Sequence, residues 1–156
     1  MEGGRQKTVA MTQPPARKHI LIVDDYADAL DIWAIYLQSM GYRVSTAADG
    51  LSAVAQAEEL LPDLIVLDLE LPGLTGFEVA QRLRATPATC AIPLIAATGY
   101  SHARQLDMAR QSGFDAVVVK PCDPDLLVQE IERLLPVNAE TLQPDHSGVE
   151  PTHNNR

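Results

Sequence analysis

Five short runs of aliphatic and β-branched residues recur through the middle of the chain: HILIV (19–23), RVSTA (43–47), DLIVL (63–67), PLIAA (93–97) and DAVVV (115–119). Each has the length of one strand, and several are apolar throughout, as strands covered on both faces are. The segments between them carry a helical period instead. Leu30, Trp33, Ala34 and Leu37 fall at i, i+3, i+4 and i+7, and Gly41 stops that helix after Met40. Ala53, Val54, Ala57, Leu60 and Leu61 repeat the spacing after Asp49, with Pro62 closing it. A third helix is predicted over 75–84, carrying Phe77, Ala80 and Leu83. A fourth is predicted over 102–112, with Ser101 as its N-cap and Gly113 as its stop. The last opens on Asp123-Pro124, a cap followed by proline at the first helical position, and buries Leu127, Ile131 and Leu134. Strands alternating with helices through right-handed crossovers give an α/β fold, a doubly wound five-stranded parallel sheet with helices on both faces.

This body covers residues 19–135. Residues 1–18, with Gly3-Gly4 and Pro14-Pro15, read as a flexible N-terminal tail, and 136–156 lose all apolar periodicity and read as a disordered C-terminal tail. A chain of 156 residues suits one domain with such tails. A net charge of -9 and only 4% aromatic residues argue against direct nucleic-acid binding, which wants a basic surface and rings to stack on bases. Cys90 and Cys122 stand far apart, in no metal or redox spacing, and read as small hydrophobes in a reducing compartment. No apolar run has the length of a membrane span, and the N-terminus lacks the apolar middle of a signal peptide. A cytoplasmic protein with no membrane contact is expected. The tail histidines, His146 and His153, have no role in this reading.

Ligands of such sheets bind at the carboxyl ends of the strands, where the strand order switches. Four of the five runs end there in polar groups: Asp24-Asp25, Asp68, Thr98 and Lys120-Pro121. An aspartate closing a run as apolar as LIVL is costly unless it is paired or lies beside a cation. Three carboxylates gathered at one edge repel one another and call for a cation, and hard oxygen ligands at an open surface favour Mg²⁺. Asp68 then has the setting of a carboxylate nucleophile that forms an aspartyl phosphate, with Lys120 and the Thr98 hydroxyl suited to the phosphoryl oxygens. Each residue alone has a plainer role: Asp24 or Asp25 as a helix cap, Thr98 in a turn, Lys120 as a solvated strand end. Asp28 stands nearer the helix start and is the better cap, which frees the pair.

LIVDDY (21–26), VLDLELPGLTGFE (66–78), IAATG (95–99) and GFDAVVVKPCD (113–123), in this order and at these separations, resemble the receiver domain of bacterial two-component response regulators. The resemblance covers the body nearly end to end and implies a flavodoxin-like (βα)5 fold. By this resemblance Asp68 takes a phosphoryl group from a histidine kinase or histidine phosphotransfer protein. Asp25 and Asp68 ligate Mg²⁺ directly, the backbone carbonyl of Glu70 is a third ligand, and Asp24 acts mainly through a bound water. Thr98 is the switch hydroxyl and Lys120 pairs with the phosphoryl group. The Lys120-Pro121 bond is expected to be cis, and Gly76 to be a turn glycine after the phosphoacceptor. Gly99 leaves space for the phosphoryl group, while Glu70 and Tyr100 stand where they affect attack of water on it, in a direction the residues leave open.

One position departs from the family. A Tyr or Phe is usual three residues before the lysine, and here it is Val117. The face formed by the fourth and fifth helices and the strand between them is therefore expected to switch weakly or by another route. With no second core or helix-turn-helix pattern after Pro136, a stand-alone receiver is expected, one that docks a downstream target protein or relays its phosphoryl group, with a possible homodimer through the face of helices 4 and 5. Such a protein catalyses its own phosphorylation and dephosphorylation without being a conventional enzyme. The alternatives are a phosphorylation-independent scaffold and a receiver fragment of a hybrid histidine kinase. A flavodoxin-like electron carrier is disfavoured because DDYAD offers an anion only repulsion. A small phosphatase is disfavoured by the Asp24-Asp25 pair and the lack of a cap domain.

Overall fold

The computed structural model describes residues 17–99 and 103–135. The elements are β1 (His19–Val23), α1 (Ala27–Ser39), β2 (Arg43–Ala47), α2 (Gly50–Leu60), β3 (Leu64–Asp68), α3 (Gly76–Ala85), β4 (Leu94–Thr98), α4 (Ala103–Gln111), β5 (Ala116–Val119) and α5 (Pro124–Leu134). All strand pairs are parallel, in the order β2-β1-β3-β4-β5. The order therefore reverses between β1 and β3. This is the doubly wound sheet expected from the sequence; both expected tails lie outside the described residues, apart from Arg17 and Lys18.

Side-chain alternation along the strands builds two cores. Leu21, Val23, Ile65, Leu67, Leu94 and Ala96 pack with Ala53 and Ala57 of α2, Val79 and Leu83 of α3, and Ala109 of α4. Ile20, Ile22, Leu64, Val66, Ile95 and Val118 face the other way, onto Leu30 and Leu37 of α1 and Leu127 and Ile131 of α5. β1 and β3 are buried at every residue, whereas β2 and β5 at the sheet edges are only partly covered. At about 1.5–3 kcal/mol for each fully buried aliphatic side chain, the central strands carry most of the hydrophobic stabilisation.

Three strands start one residue later than their apolar runs suggest. The displaced residues are Asp63, Pro93 and Asp115, and the two acids have other work. The Asp63 carboxylate accepts the His19 N–H at 2.7 Å, and the Asp115 carboxylate accepts the Leu94 N–H at 2.9 Å. Each acid thus stands just before one strand and holds the first N–H of its neighbour. Arg84 of α3 adds a clamp at the same edge. It donates to the carbonyls of Cys90, Ile92 and Gly113 and to Asp115, at 2.7–3.1 Å.

Helix ends follow their cap chemistry. Asp49 accepts from Ser52 N–H, Asp123 from Asp125 N–H, and Thr75 and Glu78 form a reciprocal capping box on α3. The expectation for α1 is corrected. Its N-cap is Tyr26, without a side-chain cap bond, and Asp28 lies inside the first turn, where it faces the helix dipole as a charge. Ser101 and His102, expected to open α4, lie outside the described residues. Cys90 and Cys122 are free thiols.

α2 ends on a left-handed Leu61, φ 47 and ψ 60, a conformation costing a non-glycine residue about 1–2 kcal/mol. The residue is 52% exposed, so little packing depends on its side chain. Leu61→Gly is expected to stabilise the protein by roughly 0.5 kcal/mol after the added freedom of the unfolded chain is subtracted. An unchanged or lowered urea midpoint would refute this.

Candidate functional site

Register sets the site. Val23 is level with Leu67 across β1 and β3, so Asp24, just past Val23, stands beside Asp68. Asp68 is level with Ala97, and Thr98 with Val119, which places Lys120 at the next position along the same edge. Alternation then sorts the side chains by face. Asp24 continues the parity of Ile20 and Ile22, Asp68 that of Leu64 and Val66, and Lys120 that of Val118, all on the α1/α5 side. Thr98 has the parity of Leu94 and Ala96 and leaves the sheet on the α3/α4 side, as Val117 does.

The carboxylates of Asp24, Asp25 and Asp68 offer oxygens within 4.8 Å of one another. Asp24 and Asp68 are buried and Asp25 is exposed. Lys120 Nζ donates to Asp24 Oδ2 at 2.6 Å and to Asp68 Oδ2 at 2.9 Å. Backbone N–H groups take up the other oxygens: Tyr26 N–H donates to Asp24 Oδ1 and Glu70 N–H to Asp68 Oδ1, both at 2.9 Å. Asp24 therefore shapes the chain into α1 while facing the cluster. Thr98 is fully buried, and its carbonyl accepts the Lys120 N–H at 2.8 Å.

Burial pushes the Asp68 carboxyl above the usual aspartate range, and the neighbouring Asp24 charge adds to the rise; the Glu70 N–H and the Lys120 ammonium pull it back only in part. For Lys120, burial pulls downward, but the bonds to Asp24 and Asp68 outweigh it and hold the ammonium above its ordinary value. Among the described residues, three carboxylates against one ammonium leave two negative charges uncompensated. One divalent cation carries the charge that would balance them, and a set of hard oxygens at an open edge suits Mg²⁺. The residues present fit that ion.

The remaining expected positions are placed as follows. Glu70 is exposed directly after the buried Leu69. Gly99 is exposed, and Tyr100 lies outside the described residues. Lys120-Pro121 is cis. Gly76 is not a turn residue: it is the first residue of α3, pressed against the backbone that carries the cluster. A Cβ there would overlap the Asp68 carbonyl oxygen and come within 2.7 Å of Leu69 Cα. The left-handed glycine of this loop is Gly73, at φ 77. Sequence reading also passed over the Arg84 clamp, whose acceptors are loop carbonyls that leave no signature in side-chain spacing. The Thr-x-x-Glu of the α3 capping box was there to be read.

The chain belongs to the response regulator receiver domain family, whose profile matches residues 20–132. It is 39% identical over 116 residues to the DNA-binding dual master transcriptional regulator RpaA of Synechocystis sp. (strain ATCC 27184 / PCC 6803 / Kazusa), covering 74% of this chain and 48% of that protein. The chain spans about half the length of the curated DNA-binding regulators it matches. Among solved structures it is similar to the Vibrio cholerae chemotaxis protein CheY4, with TM-score 0.73, 30% identity, and coverage of 76% of this chain and 99% of that one. It is equally similar to the receiver domain of the sensor histidine kinase PA1611 from Pseudomonas aeruginosa PAO1, which has a magnesium ion coordinated in its active site cleft. There the TM-score is 0.73 and identity 30%, covering 78% of this chain and 100% of that one. Among the described residues no helix is long and apolar enough to cross a membrane.

Proposed function

We propose that this receiver accepts a phosphoryl group on Asp68 from a phosphohistidine donor, a histidine kinase or phosphotransfer protein, with Mg²⁺ as cofactor. The observation that carries the reading is the Lys120 ammonium held between the buried Asp24 and Asp68 in an acid cluster that, among the described residues, has two charges left over. An Asp68 oxygen attacks phosphorus, the P–N bond of the donor breaks, and its electron pair stays on the imidazole, which takes up a proton. Lys120 then exchanges a carboxylate oxygen for a phosphoryl oxygen, and Thr98 supplies a hydroxyl from the opposite face of the sheet. Asp25, Asp68, the Glu70 carbonyl and, through water, Asp24 are the assigned holders of the metal. When bound, Mg²⁺ neutralises charge gathering on the phosphoryl oxygens.

The output we assign is docking to a target protein, or relay of the phosphoryl group, in the cytoplasm and without direct nucleic-acid contact; a homodimer through the α4–β5–α5 face belongs to the same reading. The PA1611 likeness supports the rival reading, a receiver belonging to a hybrid kinase. Val117 is half-buried, packs with the α2/α3/α4 core and shares its face with Thr98. A valine there has no ring to swing, so we assign this chain a weak switch of the α4–β5–α5 face.

Intact mass after incubation with acetyl phosphate and Mg²⁺ tests the function. One added phosphoryl group, absent when EDTA replaces Mg²⁺, is expected. No adduct, where a control receiver is modified, would favour a scaffold that kept the fold and lost the chemistry.

A further inference from the structure

Among the described residues, one buried side-chain polar atom has no hydrogen-bond partner: the carbonyl oxygen Oε1 of Gln105, on α4. Buried acceptors are almost always paired, because an oxygen taken from water and given no donor destabilises the arrangement that holds it. Here that arrangement is the one in which Lys120 is bonded to Asp24 and Asp68.

Gln105 stands one helical turn before Ala109, on the same face of α4. Ala109 is fully buried in the core that holds Leu94 and Ala96 of β4, with Val117 of β5 packed against it. Because β4 and β5 are parallel, α4 runs back from the carboxyl edge of the sheet toward the amino edge. One turn earlier is therefore about 6 Å nearer the carboxyl edge. At about 3.3 Å per strand residue, that is the step from Ala96 to Thr98. Thr98 leaves the sheet on this side, and so does Val117, which is level with Ala96. A valine there leaves room that a ring would fill.

A hydroxyl has one proton to give and two lone pairs with which to accept. When the Thr98 hydroxyl donates to a phosphoryl oxygen, its own oxygen still accepts, and the Gln105 amide has N–H groups to donate. A donor on that oxygen strengthens the bond the hydroxyl makes. We infer that Gln105 is a positioning residue for the phosphoryl group, its amide donating to Thr98 Oγ1 as the hydroxyl turns to the phosphoryl oxygen. The inference rests on the phosphoryl transfer proposed above. The weak movement assigned to the α4–β5–α5 face then begins at Gln105 instead of at position 117.

The test uses the isotope-labelled full chain with Mg²⁺ and beryllium fluoride, a mimic of the phosphoryl group. Saturation is expected to shift the Gln105 side-chain N–H₂ resonances and the α4 amides of Met108 and Ala109. The amides of Leu69 and Glu70, next to Asp68, report separately that the mimic is bound. Gln105→Met keeps the length of the side chain without its amide, and Gln105→Glu keeps an acceptor with no N–H to give. In both variants the Leu69 and Glu70 shifts are expected to remain, and those of Met108 and Ala109 to be lost. A role in packing alone would preserve them in the methionine variant. Without the mimic, Gln105→Met is expected to raise the urea midpoint by roughly 0.5 M, because the unpaired oxygen is gone. Gln105 N–H₂ resonances that stay still while Leu69 and Glu70 respond overturn the inference. Wild-type α4 shifts in either variant overturn it too, as does a lowered urea midpoint for Gln105→Met, which would mean that the oxygen has a partner. No response at Leu69 and Glu70, with no adduct from acetyl phosphate, overturns the proposed function and this inference with it.

Discussion

Asp68→Asn should abolish the phosphoryl adduct while leaving a protein at least as stable as the wild type. The amide is no nucleophile toward phosphorus at neutral pH, so intact mass after acetyl phosphate treatment should stay at the unmodified value. Stability moves the other way for a separate reason. Burial raises the Asp68 pKa in the fold, so without metal the ionised carboxylate works against folding at any pH above that raised value. As pH falls through the folded pKa toward the unfolded one the carboxyl protonates and this penalty disappears. Asparagine removes the penalty throughout, and Lys120 keeps Asp24 as its partner. In EDTA the variant should therefore melt above the wild type at neutral pH, with the gap closing as the pH is lowered toward the aspartate range. Added Mg²⁺ should narrow the gap too, by stabilising the wild type more. An adduct on Asp68→Asn would move the acceptor elsewhere; a variant less stable in EDTA would mean that the Lys120 bond outweighs the burial of Asp68.

Gly76→Ala should do the opposite, damaging the fold first. The new methyl would overlap the Asp68 carbonyl oxygen and approach Leu69 Cα to 2.7 Å. Both neighbours are backbone, and the Gly76 N–H is tied to the Leu69 carbonyl at 3.0 Å, so neither side can swing away. Overpacking against fixed atoms costs about 1–3 kcal/mol, and this site belongs at the upper end. With a urea m-value of roughly 1.5 kcal/mol/M for a domain of this size, the midpoint should fall by about 2 M. Phosphoryl uptake should slow as well, because the strain falls on the peptide that positions Asp68. A midpoint within about 0.2 M of wild type would mean that α3 lies further from the end of β3 than the structure places it.

The two variants also mark what the sequence revealed and what it hid. The strands were legible because LIVL and several of its counterparts are short, apolar on both faces and separated by helical periods, a pattern that fits a covered parallel sheet. Once the sheet was parallel, its carboxyl edge had to carry Asp24, Asp25, Asp68 and Lys120, while their meeting in one cluster needed the order that sets β1 beside β3. Thr98 was legible as a strand-end hydroxyl, but its exit on the opposite face from Asp68 needed the β3–β4 register. Asp28 stands near the helix start without capping it, because the chain enters α1 through Tyr26 with Asp24 accepting its N–H, which spacing alone does not reveal. Gly76 looked like a turn residue because a glycine following Pro-Gly-Leu-Thr says nothing about how near another backbone passes.

Acidic residues meet opposite fates at the two rims of the sheet. At the amino rim, Asp63 and Asp115 hold the first N–H of the neighbouring strands, and Arg84 binds the loops between them. Their charge is committed to holding that rim together. At the carboxyl rim, Asp24, Asp25 and Asp68 converge, and among the described residues Lys120 is the counter-charge that binds them. An approaching cation therefore meets a molecule with a front and a back. A lineage of such chains can change its partners by altering residues around the front, while the back resists change, because losing any one of its acids frees a strand end.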